Sequence, residues 1–184
     1  EGKATPKPGE SLTQEAIDAI REDVFTEHAR RFIPENSIDE QWDIEGLERS
    51  RMEDFGIEAG VKKLLAEKDH EIEDAELTQH VLDVAAKHFA DKEAQVGADV
   101  MRQLEKHLML NVLDQSWKEH LARMDYLRQG IHLRGYAQKQ PKQEYKRESF
   151  ELFTELLEKV KREVTTMLAR VRIRSEDEII QMEN

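Results

Sequence analysis

Apolar residues recur every three or four positions through most of the chain, a spacing that predicts helices. The most regular stretch runs from Leu110 to Val171, where two such series flank a short turn at residues 134–142. Neither series can leave its apolar stripe in water, so we expect a long antiparallel hairpin of two helices. The side chains expected to pack between the two helices are Leu113, Trp117, Leu121, Met124, Phe150, Phe153, Leu157 and Val160.

Shorter helices are predicted before the hairpin. Asp43 can cap a helix that ends at Gly56, and Asp74 can cap another that Gly97 interrupts. No run alternates apolar and polar residues as a strand does. The predicted fold is therefore all-α, with a cluster of short and medium helices followed by the hairpin.

The ends of the chain differ from the middle in composition. Residues 1–11 contain two Pro and two Gly and predict a disordered lead-in, and residues 175–184 predict a polar tail. We place a domain boundary at Gly97, giving domains at 12–97 and 98–174. The lead-in and the missing initiator Met suggest a piece excised from a longer protein.

Charge supports the boundary at Gly97. The net charge is −12, yet residues 1–97 hold 12 Lys and Arg against 25 Asp and Glu, while the remainder is nearly neutral. There is no Cys, which excludes a disulfide framework and a thiolate metal site. No apolar run approaches the roughly 20 residues that a membrane-spanning helix needs.

The turn between the two long helices is basic. Six Lys and Arg lie between Arg128 and Arg147, against the single acid Glu144. Gly135 would free the backbone where the first helix ends, and Pro141 would prevent helix from running through the turn. Tyr136 between them either points outward or folds back onto the helix end. The exposed tip is assigned to Arg134, Gly135, Tyr136, Lys139, Pro141 and Lys142.

Enzyme and nucleic-acid functions are disfavoured. The chain has neither a G-x-x-x-x-G-K-[ST] nor a G-x-G-x-x-G phosphate loop, and the seven His form no metal-binding pattern. His107 and His120 lie beside the apolar series, where a hydrogen-bonded structural His is favoured over a ligand. The overall acidity argues against binding nucleic acid. We expect no catalytic, cofactor or metal site in this chain.

Three runs in the hairpin carry a family resemblance. LDQSWKEHL at 113–121, MDYLRQGIHLRGYAQK at 124–139 and PKQEYKRESF at 141–150 closely resemble the bacterial SecA family of preprotein translocase motors. IREDVF at 20–25 and WDI at 42–44 resemble the same family more loosely. The resemblance covers residues 12–174 and implies a helical wing domain at 12–97 and the two-helix finger of the helical scaffold domain at 98–174.

The resemblance also implies roles. Tyr136 matches the fingertip tyrosine that contacts the translocating polypeptide at the SecY pore, and Lys139 matches a tip lysine facing the channel. The implied partners are the SecYEG channel, unfolded preprotein, the SecA motor domains and an anionic membrane surface. Location would be cytoplasmic, with peripheral association at the inner face of the plasma membrane. ATP and Mg²⁺ would belong to the motor domains, whose ATPase this region regulates.

A second function fits the composition as well. A free-standing helical scaffold or adaptor that binds acidic partners through the basic turn needs no motor domains. The length of the natural gene product would separate these two hypotheses.

Overall fold

The computed structural model describes residues 10–68, 72–137 and 140–172, with side chains from residue 14 onward except those of residues 136 and 137. Within these ranges the chain has no strand, so the all-α prediction is confirmed. The α-helices are α1 (Glu10–Arg30), α2 (Ile44–Phe55), α3 (Val61–Glu67), α4 (Asp74–Val96), α5 (Ala98–Gly130) and α6 (Pro141–Arg170). Two 3₁₀ turns lie at Asp39–Gln41 and Ile131–Ala137.

Single residues account for the position of several helix ends. Asp43 accepts a hydrogen bond from Gly46 N at 2.8 Å and caps α2 as predicted. Gly56 follows α2 at φ 68° and Gly97 follows α4 at φ 87°, in backbone conformations that favour glycine. The predicted cap at Asp74 is wrong. Its carboxylate instead accepts from Asn36 N at 3.0 Å, because a contact distant in sequence competes with the local one.

The described chain divides into two compact units. Unit 1 comprises residues up to 106 together with those from 165, and unit 2 comprises residues 107–164. Both divisions fall within helices, α5 and α6. The wing and finger boundary expected at Gly97 stays a prediction, and most of the expected lead-in and all of the expected tail lie outside the described residues.

Unit 1 has an apolar core built from all four of its short and medium helices. α1 packs against α4, and α3 packs against both α2 and α4. The core residues are Ala29, Ile33, Leu47, Ala59, Val61, Leu65, Leu77 and Val81. Next to them, the Phe25 ring lies 4.7 Å from Phe55 and 6.2 Å from Phe89, which extends the core toward the beginning of α1.

A carboxylate from α2 caps the N-terminus of α3. Glu48 Oε1 accepts from Val61 N at 2.7 Å, and Oε2 accepts from Ala59 N at 3.3 Å. Gly60 precedes α3 at φ 68° and supplies no side chain to the cap. The negative charge is favourable at this position because the N-terminus of a helix carries partial positive charge.

The last turn of α6 is held to α4 within unit 1. Lys92 Nζ donates to Leu168 O and Val171 O at 2.8 Å each, and also to Ala169 O. His88 Nε2 bonds the same Ala169 carbonyl at 3.0 Å. These contacts satisfy carbonyls that a helix end leaves without an internal partner.

Unit 1 also buries charge. Arg51 is fully buried, donates to Val81 O at 2.9 Å and lies 4.7 Å from the Phe25 ring centroid. Burial lowers its pKa to about 10. Glu105 is fully buried between Arg21 at 2.5 Å and Arg102 at 2.9 Å.

Unit 2 consists of the end of α5, the tip and the beginning of α6. Its two helices run antiparallel. Arg123 on α5 pairs with Glu155 on α6 at 2.6 Å, and Glu119, one turn earlier on α5, pairs with Lys159, one turn later on α6. The two helices are thus linked at successive turns. The most buried residues between them are Val112, Ser116, His120, Leu127, Leu156, Val160 and Val164.

Candidate functional site

The tip of the hairpin begins earlier in the chain than the short turn expected at residues 134–142. α5 ends at Gly130 and continues as the 3₁₀ turn Ile131–Ala137, and Pro141 is the first residue of α6. Proline suits that position because its fixed φ is helical and its missing N–H would have no helical partner there.

Gly135 does not free the backbone as predicted. It has no positive φ and lies inside the 3₁₀ turn. A Cβ atom built on it would lie 3.7 Å from Pro141 Cγ, an ordinary van der Waals contact. The prediction failed because the α-helix already ends at Gly130.

Arg134 joins the tip to the return helix. Its Nε donates to Glu148 Oε1 at 3.0 Å and its Nη2 donates to Glu148 Oε2 at 3.1 Å. The two parallel bonds match the planar fork of the guanidinium to the carboxylate. Hydrogen bonding to Glu148 raises the pKa of Arg134. The geometry fixes the 3₁₀ turn against α6, although the side chain of Arg134 remains 43% exposed.

Other basic residues near the tip are also paired. Arg128 bonds Asp125 at 2.6 Å, and Arg147 bonds Glu144 at 2.8 Å and Glu151 at 2.7 Å. The basic stretch at residues 128–147 does not include Asp125 and Glu151, because both lie just outside it. Their spacing of three and four residues from the arginines on a helix is the signal that could have found them.

Among the described residues near the tip, two exposed lysines have no ion pair. Lys142 and Lys146 are exposed on the first turns of α6, and neither has an ion pair within the described part of the chain. Pro141 beside them is half-buried. Among the described residues of the tip, fewer cations are unpaired than the sequence suggested.

The two residues with implied contact roles are not fully described. The backbone of Tyr136 belongs to the 3₁₀ turn, but its side chain lies outside the described residues, as does all of Lys139. Their roles at the tip stay predictions.

The shaft of the hairpin exposes much of its expected packing series. Val160 is buried, Met124 is half-buried, and the other six members keep between 42% (Phe153) and 71% (Phe150) of their surface exposed. On α5 the buried positions Val112, Ser116 and His120 each precede an exposed member of the series by one residue. A helix rotates about 100° per residue, so the most buried line is turned away from the apolar stripe.

His120 connects the predicted series to the buried line. Its ring lies 5.4 Å from Trp117 on the same helix and 6.1 Å from Phe153 on α6. His120 is buried, but its Nδ1 has no hydrogen-bond partner among the described residues, so the expected hydrogen bond is seen only for His107, which bonds Asn111 at 2.9 Å on an exposed face. Sequence patterns missed the burial of His120 and Ser116 because both are polar.

The described ranges contain neither a metal-binding cluster nor a membrane-spanning helix. No group of three or more His, Asp or Glu lies close enough there to hold a metal ion. None of the helices in those ranges combines the length and the apolar character required to cross a bilayer.

Similarity to known proteins extends over nearly all of the residues that the structure describes. Residues 8–172 match the family described as the SecA wing and scaffold domain. The chain is 61% identical over 168 residues to the protein translocase subunit SecA of Stenotrophomonas maltophilia (strain R551-3). It is 58% identical over 167 residues to the subunit of the same name from Xanthomonas campestris pv. campestris (strain B100). Each alignment covers 91% of this chain and 18% of the relative, so the chain spans less than a fifth of the relatives' length. The chain therefore belongs to the SecA family, in the segment described as its wing and scaffold domain.

Proposed function

We propose that this chain is the wing and two-helix finger of a SecA protein translocase and has no catalytic site of its own. Its finger contacts the SecYEG channel and the translocating polypeptide and regulates the ATPase of the motor domains. ATP and Mg²⁺ bind to those domains. Supporting this proposal are the match over residues 8–172 and relatives named protein translocase subunit SecA.

The hairpin has the construction that a mechanical element needs. Unit 2 includes residues 107–130 of α5, which at 1.5 Å per residue extend roughly 35 Å. The buried line between α5 and α6 and the ion pairs Arg123–Glu155 and Glu119–Lys159 oppose sliding of one helix along the other. Exposed ion pairs contribute little to stability, so the buried apolar residues supply most of the stiffness.

The single observation that carries the proposal is the two-bond contact of Arg134 with Glu148. It fixes the turn that contains Tyr136 to the first part of α6, so a displacement of the helices reaches the tip. A tyrosine there suits polypeptides of varied sequence because its ring is apolar and its hydroxyl is polar. Exposed Lys142 and Lys146 suit acidic channel loops or anionic headgroups at the inner face of the plasma membrane.

The adaptor hypothesis is less well supported. A surface for acidic partners needs accessible cations, but Arg128, Arg134 and Arg147 each engage a carboxylate of the chain itself. Only Lys142 and Lys146 remain as exposed cations without an ion pair near the described part of the turn.

Transport by a full-length SecA that carries this segment tests the proposal. Tyr136→Ala should reduce preprotein transport into SecYEG vesicles at least about tenfold, the cost of about 1.4 kcal/mol of lost contact. Tyr126→Ala is the matched control, because Tyr126 is 81% exposed on α5 and lies outside the turn. Transport unaffected by Tyr136→Ala would contradict the assignment of the tip.

The Arg134–Glu148 contact can be tested in the same assay. Glu148→Gln should lower transport and weaken the coupling between transport and ATP hydrolysis. Exchanging the two residues, Arg134→Glu with Glu148→Arg, should recover part of the loss because it restores an ion pair. A double variant no better than the single one would argue against fixation of the tip by this contact.

A further inference from the structure

Unit 1 contains an open groove that the proposed function of the finger does not use. It has a volume of about 800 Å³ and is lined by residues of α1, α4 and the beginning of α5. All of these residues belong to unit 1. The groove is therefore a feature of one compact body.

The groove is elongated along α4. Leu82, Ala86, Ala90 and Ala94 line it at intervals of four residues, and this ridge extends roughly 18 Å at 1.5 Å per residue. Ala86, Ala90 and Ala94 are exposed. Small side chains in a row allow the backbone of a further helix to approach closely.

The bottom of the groove is apolar. Phe25 and Phe89 line it and are nearly fully buried, and Ala85 lies between α4 and α1 in the same layer. Arg21 covers one side of Phe89, with its guanidinium 4.0 Å from the ring centroid. These residues support the groove from beneath, and the apolar surface that a ligand can reach comes from half-buried Leu82 and the exposed alanines of α4.

The arginines of the groove are already neutralised. Arg21 bonds Asp18 at 3.0 Å and Glu105 at 2.5 Å, while Arg102 pairs with Glu93 and lies 2.9 Å from Glu105. They offer little attraction to an incoming acidic group. Of their carboxylate partners, Glu105 is fully buried, while Asp18 and Glu93 are each paired with an arginine.

Two acids on the walls remain without a cationic partner. Glu22 on α1 forms no ion pair within the described part of the chain, and Asp83 on α4 accepts a hydrogen bond only from the neutral amide of Gln79, at 2.9 Å. Both are exposed. Since one lies on each wall, the rim of the groove is negative on both sides of an apolar floor.

We propose that this groove binds a basic amphipathic helix, whose aliphatic stripe lies on Leu82 and the exposed alanines of α4 and whose flanking Lys or Arg residues reach Glu22 and Asp83. The alanine ridge sets how closely that helix approaches α4. The negative rim disfavours an acidic helix, and a polar peptide without an aliphatic stripe would leave Leu82 and the alanines of α4 uncovered.

Fluorescence anisotropy with the whole chain tests the proposal. The probe is a fluorescein-labelled 18-residue peptide of Leu and Lys, patterned so that Leu forms one helical face. Two comparison peptides keep its length, one with Glu in place of Lys and one with the same composition but no apolar face. The patterned Leu/Lys peptide should bind at least about tenfold more tightly than either. Equal binding of the peptide without an apolar face would overturn the proposal.

Three variants test whether the peptide binds in this groove. Glu22→Lys with Asp83→Lys, and separately Ala90→Phe, should each weaken binding about tenfold or more. Glu40→Lys with Glu58→Lys is the matched control, since it changes the net charge equally at exposed positions outside the groove. Equal weakening by the control pair would show attraction by net charge alone and overturn the proposal. Unchanged binding by Ala90→Phe would also overturn it, and circular dichroism checks that each variant is folded.

Discussion

Arg21 Nη2 lies 2.5 Å from Glu105 Oε1, joining residues 84 positions apart in the sequence inside the unit that contains α1 and the beginning of α5. Arg102 approaches the other carboxylate oxygen at 2.9 Å. Burial raises the pKa of Glu105, and the two arginines oppose that shift. The carboxylate is thus the common partner of two largely buried cations.

Glu105→Ala should lower the free energy of unfolding by about 1.5–3 kcal/mol, because Arg21 and Arg102 lose their shared buried partner although each keeps a second carboxylate, Asp18 and Glu93. Urea unfolding followed by circular dichroism measures this. Glu119→Ala is the control, since it removes an exposed glutamate from the same helix and should cost much less. Equal losses in the two variants would contradict the role assigned to Glu105.

His28 should make stability depend on pH. Burial lowers its pKa from 6.5 to about 4; nearby Arg51 lowers it further and Asp54 opposes the shift. Between pH 6.5 and 4 the unfolded chain therefore binds more protons at this residue than the folded chain does. Its contribution is complete above pH 6.5 and is lost as the pH falls toward 4.

The expected loss attributable to His28 between pH 7 and pH 5 is about 2 kcal/mol of unfolding free energy. Urea titrations at both pH values, on the natural chain and on His28→Gln, isolate it as the difference between the two proteins. His132→Gln removes an imidazole that is exposed in the folded state and serves as the control. An identical pH dependence in the His28→Gln variant would refute the prediction.

Substitution by alanine should affect stability differently at two glycines. Gly135 has no positive φ and space for a Cβ atom, so Gly135→Ala should change the unfolding free energy by less than about 0.5 kcal/mol. Gly56 has φ 68°, so Gly56→Ala should cost about 1 kcal/mol or more. Differential scanning calorimetry compares the two. A larger loss at Gly135 would restore the sequence-based expectation that this glycine is needed for its backbone.

Lys92 should protect the end of α6. Lys92→Met removes the ammonium that donates to two carbonyls of the last turn and to that of Val171 just after it, and should speed amide hydrogen exchange in residues 165–170. The stability loss should be only about 1 kcal/mol, because burial already lowers the pKa of Lys92 to about 8 and opposes its charge. Lys87→Met, at an exposed position of the same helix, should leave that exchange unchanged. Equal exchange in both variants would argue against the cap.

Sequence patterns predicted features that depend on neighbouring residues. The cap at Asp43, the end of α2 at Gly56 and the interruption at Gly97 each follow from the conformational or hydrogen-bonding preference of one residue. The all-α fold follows from helical spacing through the whole chain. Such signals need no knowledge of distant contacts.

Features that depend on distant contacts were missed. The burial of Arg51 and Glu105 requires partners far away in sequence, Val81 for the first and Arg21 for the second. In the hairpin, regular apolar spacing showed that two helices pair but not which line is most buried, because polar Ser116 and His120 occupy that line. The contact role proposed for the side chain of Tyr136 still rests on the family resemblance alone.

The cap that Glu48 provides to α3 has a consequence for local opening. A helix of seven residues is too short to persist alone in water, so α3 depends on its packing and on the carboxylate supplied by α2. If α2 opens, Val61 N and Ala59 N lose their acceptor at the same moment. These two helices should therefore open and close as one cooperative segment, and α3 cannot be excised or transplanted without α2.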